Sequence, residues 1–104
     1  VIEVNDDNFK KEVLEAEETV IVDFWASWCG PCKTLAKTIE KLESALPPGK
    51  YKFVKINAED EPALAQASRV SGLPTIIVFE KGEEKRRKVG ALPYNVLSDF
   101  LEGK

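Results

Sequence analysis

The stretch Thr19 to Trp25 places the strongest constraint on how this chain can fold. Val20-Ile21-Val22-Asp23-Phe24-Trp25 is apolar at five of six positions, with no polar alternation. A strand wetted on one face alternates, so an unbroken apolar run belongs to a strand covered on both faces. Helices must then lie on each side of its sheet, and the fold class is α/β. Val1-Ile2-Glu3-Val4 reads as a short strand before it, followed by a helix that Asn5 caps and that runs to about Ala16. After it, Cys32, Leu35, Ala36, Ile39, Leu42 and Leu46 recur at helical spacing until Pro47-Pro48-Gly49. Tyr51 to Asn57 reads as a strand, and Pro62 opens a helix to about Val70. Thr75 to Glu80 and Lys85 to Val89 form a hairpin around Lys81-Gly82-Glu83, and Pro93 to Glu102 is a last helix. The order βαβαβαββα predicts a central mixed sheet of five strands flanked by four helices. No repeat or linker interrupts it, so residues 1–104 are read as a single domain.

Charge and length narrow the function. Lys and Arg number 15 against 18 Asp and Glu, a formal charge of −3. A chain of that balance is no dedicated nucleic-acid binder and no electrostatic ligand of an anionic membrane. The run Lys85-Arg86-Arg87-Lys88 is read as the outer strand of the hairpin, where charge blunts edge pairing. No apolar stretch approaches the roughly 20 residues of a spanning helix, and no signal peptide is visible. The chain does not begin with Met, which is compatible with a processed leader or a longer parent chain.

Two cysteines, Cys29 and Cys32, and no histidine leave few chemistries open. A structural zinc site needs about four Cys or His ligands, so no metal is expected. Ser-His-Asp and Cys-His nucleophile arrangements are excluded outright. A bond between cysteines three apart closes a tiny loop and adds little through chain entropy. Such a bond is a candidate for one that opens and closes.

Trp28-Cys29-Gly30-Pro31-Cys32-Lys33 follows the apolar strand and opens a helix, the setting of a redox Cys-X-X-Cys. Together with Val22-Asp23-Phe24-Trp25-Ala26, Gly72-Leu73-Pro74-Thr75 and Val89-Gly90-Ala91-Leu92, in that order, it resembles the thioredoxin family over essentially the whole chain. The resemblance implies the thioredoxin fold and a thiol–disulfide oxidoreductase that reduces protein disulfides through Cys29 and Cys32. Gly30 and Pro31 place Cys29 before a helix N-terminus, where free N–H groups and the helix dipole favour the attacking thiolate. Cys29 is therefore expected to be the exposed nucleophile that carries the mixed disulfide. Cys32, one turn in on the apolar stripe, is expected to be the buried resolving thiol. Two inert core cysteines are the bland alternative, and Trp, Gly and Pro beside them do not suit a helix interior.

Asp23 reads either as a carboxylate buried at high cost or as one at a wet strand rim. The resemblance implies the first, behind Cys32, relaying a proton. Lys55 matches a family lysine near that Asp, or is a surface lysine lying along an apolar flank. Pro74 would be cis and face the cysteines. Gly72, Leu73, Gly90 and Ala91 would complete a shallow apolar substrate groove with Trp28, Gly30 and Pro31. Gly72 and Gly90 also suit a helix stop and a strand bulge.

Two residues depart from the pattern. Lys37 stands where the family usually has a helix-kinking proline, so a straighter helix is expected. Glu59 replaces an Asp that often accepts from the indole of the Trp before the first Cys. No G-x-G-x-x-G loop occurs, so no nucleotide cofactor is expected on this chain, only its redox-active disulfide. The resemblance implies a monomer in the cytoplasm, protein disulfides as substrates, and recycling by an NADPH- and flavin-dependent thioredoxin reductase or an equivalent. An oxidase or isomerase, and a non-enzymatic subunit that binds through the Pro74 groove, are the competing readings.

Overall fold

The computed structural model describes residues Val1–Lys104. Five strands, β1 (Ile2–Glu3), β2 (Thr19–Trp25), β3 (Tyr51–Asn57), β4 (Thr75–Glu80) and β5 (Glu83–Val89), form one sheet. Their order is β1-β3-β2-β4-β5. β1, β3 and β2 run parallel, while β4 and β5 are antiparallel to their neighbours. The apolar run is the central strand, and Val20 to Phe24 are all buried.

Successive side chains of a strand point to opposite faces, and β2 divides the core accordingly. Ile21 packs with Leu35, Ile39 and Leu42 of α1 (Gly30–Ala45) and with Leu97 and Phe100 of α3 (Tyr94–Leu101). Val20, Val22 and Phe24 pack on the other face with Val4 and Val13, and Leu64 of α2 (Pro62–Ala67) joins them. By the same alternation Asp23 and Trp25 share the α1 face with Ile21.

The first helix differs from its expected form. Asn5 caps the turn that leads into it rather than the helix itself, whose first flanking residue is Phe9: Asn5 Oδ1 accepts from the N–H groups of Asp7 and Asn8, and Asn8 Oδ1 accepts from Asn5 N–H. Beyond Phe9 the ladder widens. Glu15 N–H donates to Lys10 O at 2.9 Å, and Lys10–Leu14 is π-helical rather than α-helical to Ala16. The wide turn buries Val13 and leaves Leu14 37% exposed. It also brings the Leu14 carbonyl under the β4–β5 turn, where a Cβ on Gly82 (φ +81°) would lie 2.8 Å from that oxygen. α2 stops at Ala67 instead of about Val70, because Arg69 adopts a left-handed φ of +57° and its N–H donates to Gln66 O. α1 runs unbroken through Lys37. Ala36, read as part of its apolar stripe, is exposed and faces a cavity instead.

Candidate active site

Cys29 is the N-cap residue of α1, with extended backbone (φ −90°, ψ 109°). Pro31 occupies the first turn, where its missing N–H has no partner to lose. Cys29 Sγ accepts a hydrogen bond from Cys32 N–H at 3.2 Å, the place a capping oxygen would take. The two cysteines form a disulfide with Cα atoms 5.3 Å apart.

The expected contrast in exposure is absent in this oxidised state. Cys29 is 5% exposed and Cys32 3%. The bond draws Cys29 against Cys32 and Ala26, and Trp25 and Leu73 pack on the same cluster. The difference between the two sulfurs lies instead in their positions: one caps the helix and accepts from its backbone, the other is inside the first turn.

β2 delivers Asp23 beneath this pair. Asp23 is 5% exposed and its Oδ1 has no hydrogen-bond partner. Burial pushes the carboxyl up to about 7, and the charge of Lys55 opposes that rise. Parallel pairing of β2 and β3 sets Asp23 and Lys55 side by side. The Lys55 ammonium lies 4.0 Å from the Glu3 carboxylate and 5.5 Å from the centre of the Trp25 ring. The Lys55 side chain thus lies along an aromatic flank, and its charge acts on Asp23. Asp23, Cys32 and Lys55 line one cavity of about 140 Å³, with Trp25, Lys33 and Ala36 completing much of its wall.

The other side of the disulfide is the loop before β4. The Leu73–Pro74 bond is cis, and Pro74 is buried. Leu73 packs against the cysteines, and neither its N–H nor its C=O bonds to another backbone group. Pro74 O accepts from Gly90 N–H at 2.8 Å, which ties Gly90 (φ +116°) to this loop with Ala91 exposed beside it. A Cβ on Gly72 would meet Val89 at 3.2 Å, so Gly72 lets the loop lie against β5. Gly30 and Pro31 are exposed, and Trp28 is 69% exposed. Glu59 accepts from the Ser27 hydroxyl at 3.1 Å. The longer carboxylate is therefore used one residue before Trp28.

The chain matches the family model described as Thioredoxin over residues 1–103. This chain belongs to the thioredoxin family. It is 41% identical over 102 residues to "Thioredoxin M-type, chloroplastic" of Spinacia oleracea, covering 98% of this chain and 56% of that protein. It is 43% identical over 98 residues to the thioredoxin of Rickettsia felis, covering 94% and 92% of the two chains. "Thioredoxin 1" of a Nostoc species is 39% identical over 100 residues, covering 96% and 92%. The chain thus spans just over half the length of the spinach relative. With the family and the disulfide both in place, Cys29–Cys32 is the redox-active pair of a thioredoxin-type thiol–disulfide oxidoreductase.

Sequence reasoning did not find Trp25, Lys33 or Val89. Trp25 was legible in principle, two residues from Asp23 and so on the same face of β2. Val89, 58% exposed beside Gly72, is placed only by the β4–β5 register.

Proposed function

We propose that this thioredoxin-family chain is a reductant of protein disulfides, with Cys29 as nucleophile and Cys32 as resolving thiol. The observation that carries the assignment of roles is the Cys32 N–H donating to Cys29 Sγ at the helix N-terminus. In the dithiol form the same donor and the helix dipole favour the Cys29 thiolate. That thiolate attacks a substrate disulfide, forms a Cys29–substrate bond and expels the first substrate thiolate. Asp23, as carboxylate, takes the Cys32 proton. The Cys32 thiolate then attacks Cys29, the Cys29–Cys32 bond forms, and the second substrate sulfur leaves with the electron pair. Two electrons pass to the substrate and the protein dithiol becomes the disulfide.

The unpaired Leu73 N–H and C=O support backbone pairing with an extended substrate segment, beside Trp28, Pro31, Gly72, Pro74, Gly90 and Ala91. Lys55 tunes Asp23. Recycling falls to a flavin- and NADPH-dependent thioredoxin reductase or an equivalent donor, and the protein works as a monomer. A reductant calls for a compartment that keeps thiols reduced, such as the cytoplasm.

The test is the reduction potential of the Cys29–Cys32 couple, measured by equilibration with glutathione. A reductant lies below the cytosolic glutathione poise of roughly −220 to −260 mV. A value well above that range assigns the chain to oxidation or isomerisation and overturns the proposal.

A further inference from the structure

The substrate groove does not end at Gly72. A Cβ there would lie 3.2 Å from Val89, so the Val89 side chain rests on the loop before β4, and it is 58% exposed. Val89 and Arg87 pair in regular register with Thr75 and Ile77. They are two apart on β5 and so share one face of the sheet. Arg87 Nη1 donates to Arg69 O at 3.3 Å, which brings the end of α2 beside this strip. An open depression of about 530 Å³ lies there, lined by Ala67, Ser68, Arg69, Glu84 and Arg87. The groove thus runs from Leu73, packed on the disulfide, over an apolar step at Val89 to a basic hollow.

The two arginines of the hollow are not equivalent. The Arg87 guanidinium is committed to Glu84 through two bonds of 2.6 Å and to the Arg69 carbonyl. Arg69 is exposed, and its guanidinium is in no ion pair. Its charge still reaches the hollow. Hydrogen bonds from Arg87 hold the Glu84 carboxyl below its ordinary range, and the charges of Arg87 and Arg69 act in the same direction. One positive charge there is therefore left unmatched. Arg69 also stands at φ +57°, in the left-handed region where Gly or Asn would fit at lower cost. Ending α2 calls for that backbone shape and not for a guanidinium.

We propose that Arg69 is a specificity-determining residue, its guanidinium receiving a carboxylate that an extended disulfide substrate carries beyond the segment lying on Val89. The inference rests on the reading of the chain as a reductant that takes substrate backbone at Leu73. It names the class of substrate favoured: one with an acidic side chain at a set distance from its cysteine. A strand rises about 3.3 Å per residue, so Arg87 and the adjoining Arg69 lie roughly 6.6 Å past Val89. The step from the Leu73 loop across to Val89 adds about one strand spacing, roughly 4.8 Å. The carboxylate then falls about three to five residues from the reacting cysteine. The chain as a whole carries a formal charge of −3 and repels acidic ligands at long range. A preference for one must come from a local cation. A guanidinium suits the task because its fork can bind both carboxylate oxygens.

The experiment reacts the whole reduced chain with short peptides whose single cysteine carries a 2-pyridyl disulfide. The Cys29 thiolate attacks the peptide sulfur, the Cys29–peptide bond forms, and pyridine-2-thione leaves with the electron pair. Its absorbance gives the second-order rate constant. Cys32 then attacks Cys29 and releases the peptide thiol, which mass spectrometry follows. One Glu is moved through each position on either side of the cysteine and compared with Gln and Lys at the same place. At low salt the Glu peptide is expected to react about two- to fivefold faster than the Gln peptide, the range of one exposed ion pair. The gain should appear about three to five residues from the cysteine, on one side only, and fade at high salt. Arg69→Asn keeps the left-handed turn without the charge, and the Glu-to-Gln ratio should fall to about one. Arg69→Lys should keep part of it. Each ratio is taken within one variant, so a change in thiol reactivity cancels. A flat profile, a preference for Lys, or a Glu gain that survives Arg69→Asn overturns the proposal. A Gln peptide that is captured on Cys29 and never released by Cys32 removes instead the reductant reading on which the inference stands.

Discussion

Burial of one carboxylate gives this protein its clearest pH signature. The Asp23 carboxyl is pushed up to about 7 in the folded chain, against an ordinary value of 3.8. The folded state therefore binds more protons than the unfolded one between those two values, and stability falls as pH rises through them. The loss is complete above about pH 7 and corresponds to roughly 4 kcal/mol at full ionisation. Asp23→Asn should leave stability near native at about pH 4 and raise it by a few kcal/mol at about pH 8. Urea unfolding at the two pH values reads the difference, and equal gains at both would show that Asp23 is not desolvated. The cysteines carry a second expectation. Both are buried as the disulfide, and Cys29 Sγ alone sits at the helix N-cap, so asymmetry is expected on reduction. Alkylation of the dithiol near neutral pH should label Cys29 far faster than Cys32. Cys32→Ser should retain substrate proteins as mixed disulfides on Cys29, whereas Cys29→Ser should retain almost none. Mass spectrometry of the adducts checks both: adducts mainly through Cys32 reverse the assignment, and equal labelling removes the asymmetry on which it rests.

Among the elements, the basic run on β5 shows how alternation divides a charge cluster. Arg87 pairs with Glu84 through two bonds of 2.6 Å. Arg86 points the other way, to the end of α3. Its guanidinium donates to Phe100 O and Leu101 O, each at 2.7 Å, and lies 5.7 Å from the centre of the Phe100 ring. Carbonyls in the last turn of a helix lack partners within it, and a cation there also complements the dipole. Two charge-assisted bonds of this kind, half-buried, predict that Arg86→Ala costs about 2–3 kcal/mol. Arg86→Lys should recover only part of the loss, since a single ammonium cannot reproduce the fork. A lowered denaturant midpoint at unchanged slope is the expected readout. A cost below about 0.5 kcal/mol would place Arg86 with ordinary surface charges.

At the scale of the whole molecule, two apolar layers share one sheet. The α1 and α3 layer and the α2 and π-helical layer meet at β2, β3 and β4, which contribute buried side chains to both. Neither layer has a sheet of its own, so the chain should unfold in one step. Leu42, 2% exposed in the α1 layer, lies outside the cavity walls. Leu42→Ala should cost about 2–5 kcal/mol, and tryptophan fluorescence and far-ultraviolet dichroism should report the same lowered midpoint. Separate midpoints for the two signals would show that the layers fold independently.

Patterns short enough to lie within one element were legible before any coordinates. The unbroken run Val20–Trp25 places β2 at the centre, because only a doubly covered strand tolerates it. Cys29, Gly30, Pro31 and Cys32 mark the helix start and the redox pair, because capping and the missing proline N–H are local effects. What depends on register, on packing between distant segments, or on the balance of neighbouring charges was decided by the tertiary structure. The pairing of β2 with β3 sets Lys55 beside Asp23, and the seat of α1 on the sheet leaves the small Ala36 facing a cavity. The close approach of Leu14 to Gly82 accompanies a π-helical turn that periodicity did not signal. Arg86 and Arg87 look alike in the sequence, but strand alternation and the position of α3 turn one into a helix cap and leave the other a surface ion pair. Apart from the Arg87–Glu84 pair, each of these outcomes joins residues far apart along the chain, where local propensity carries no information.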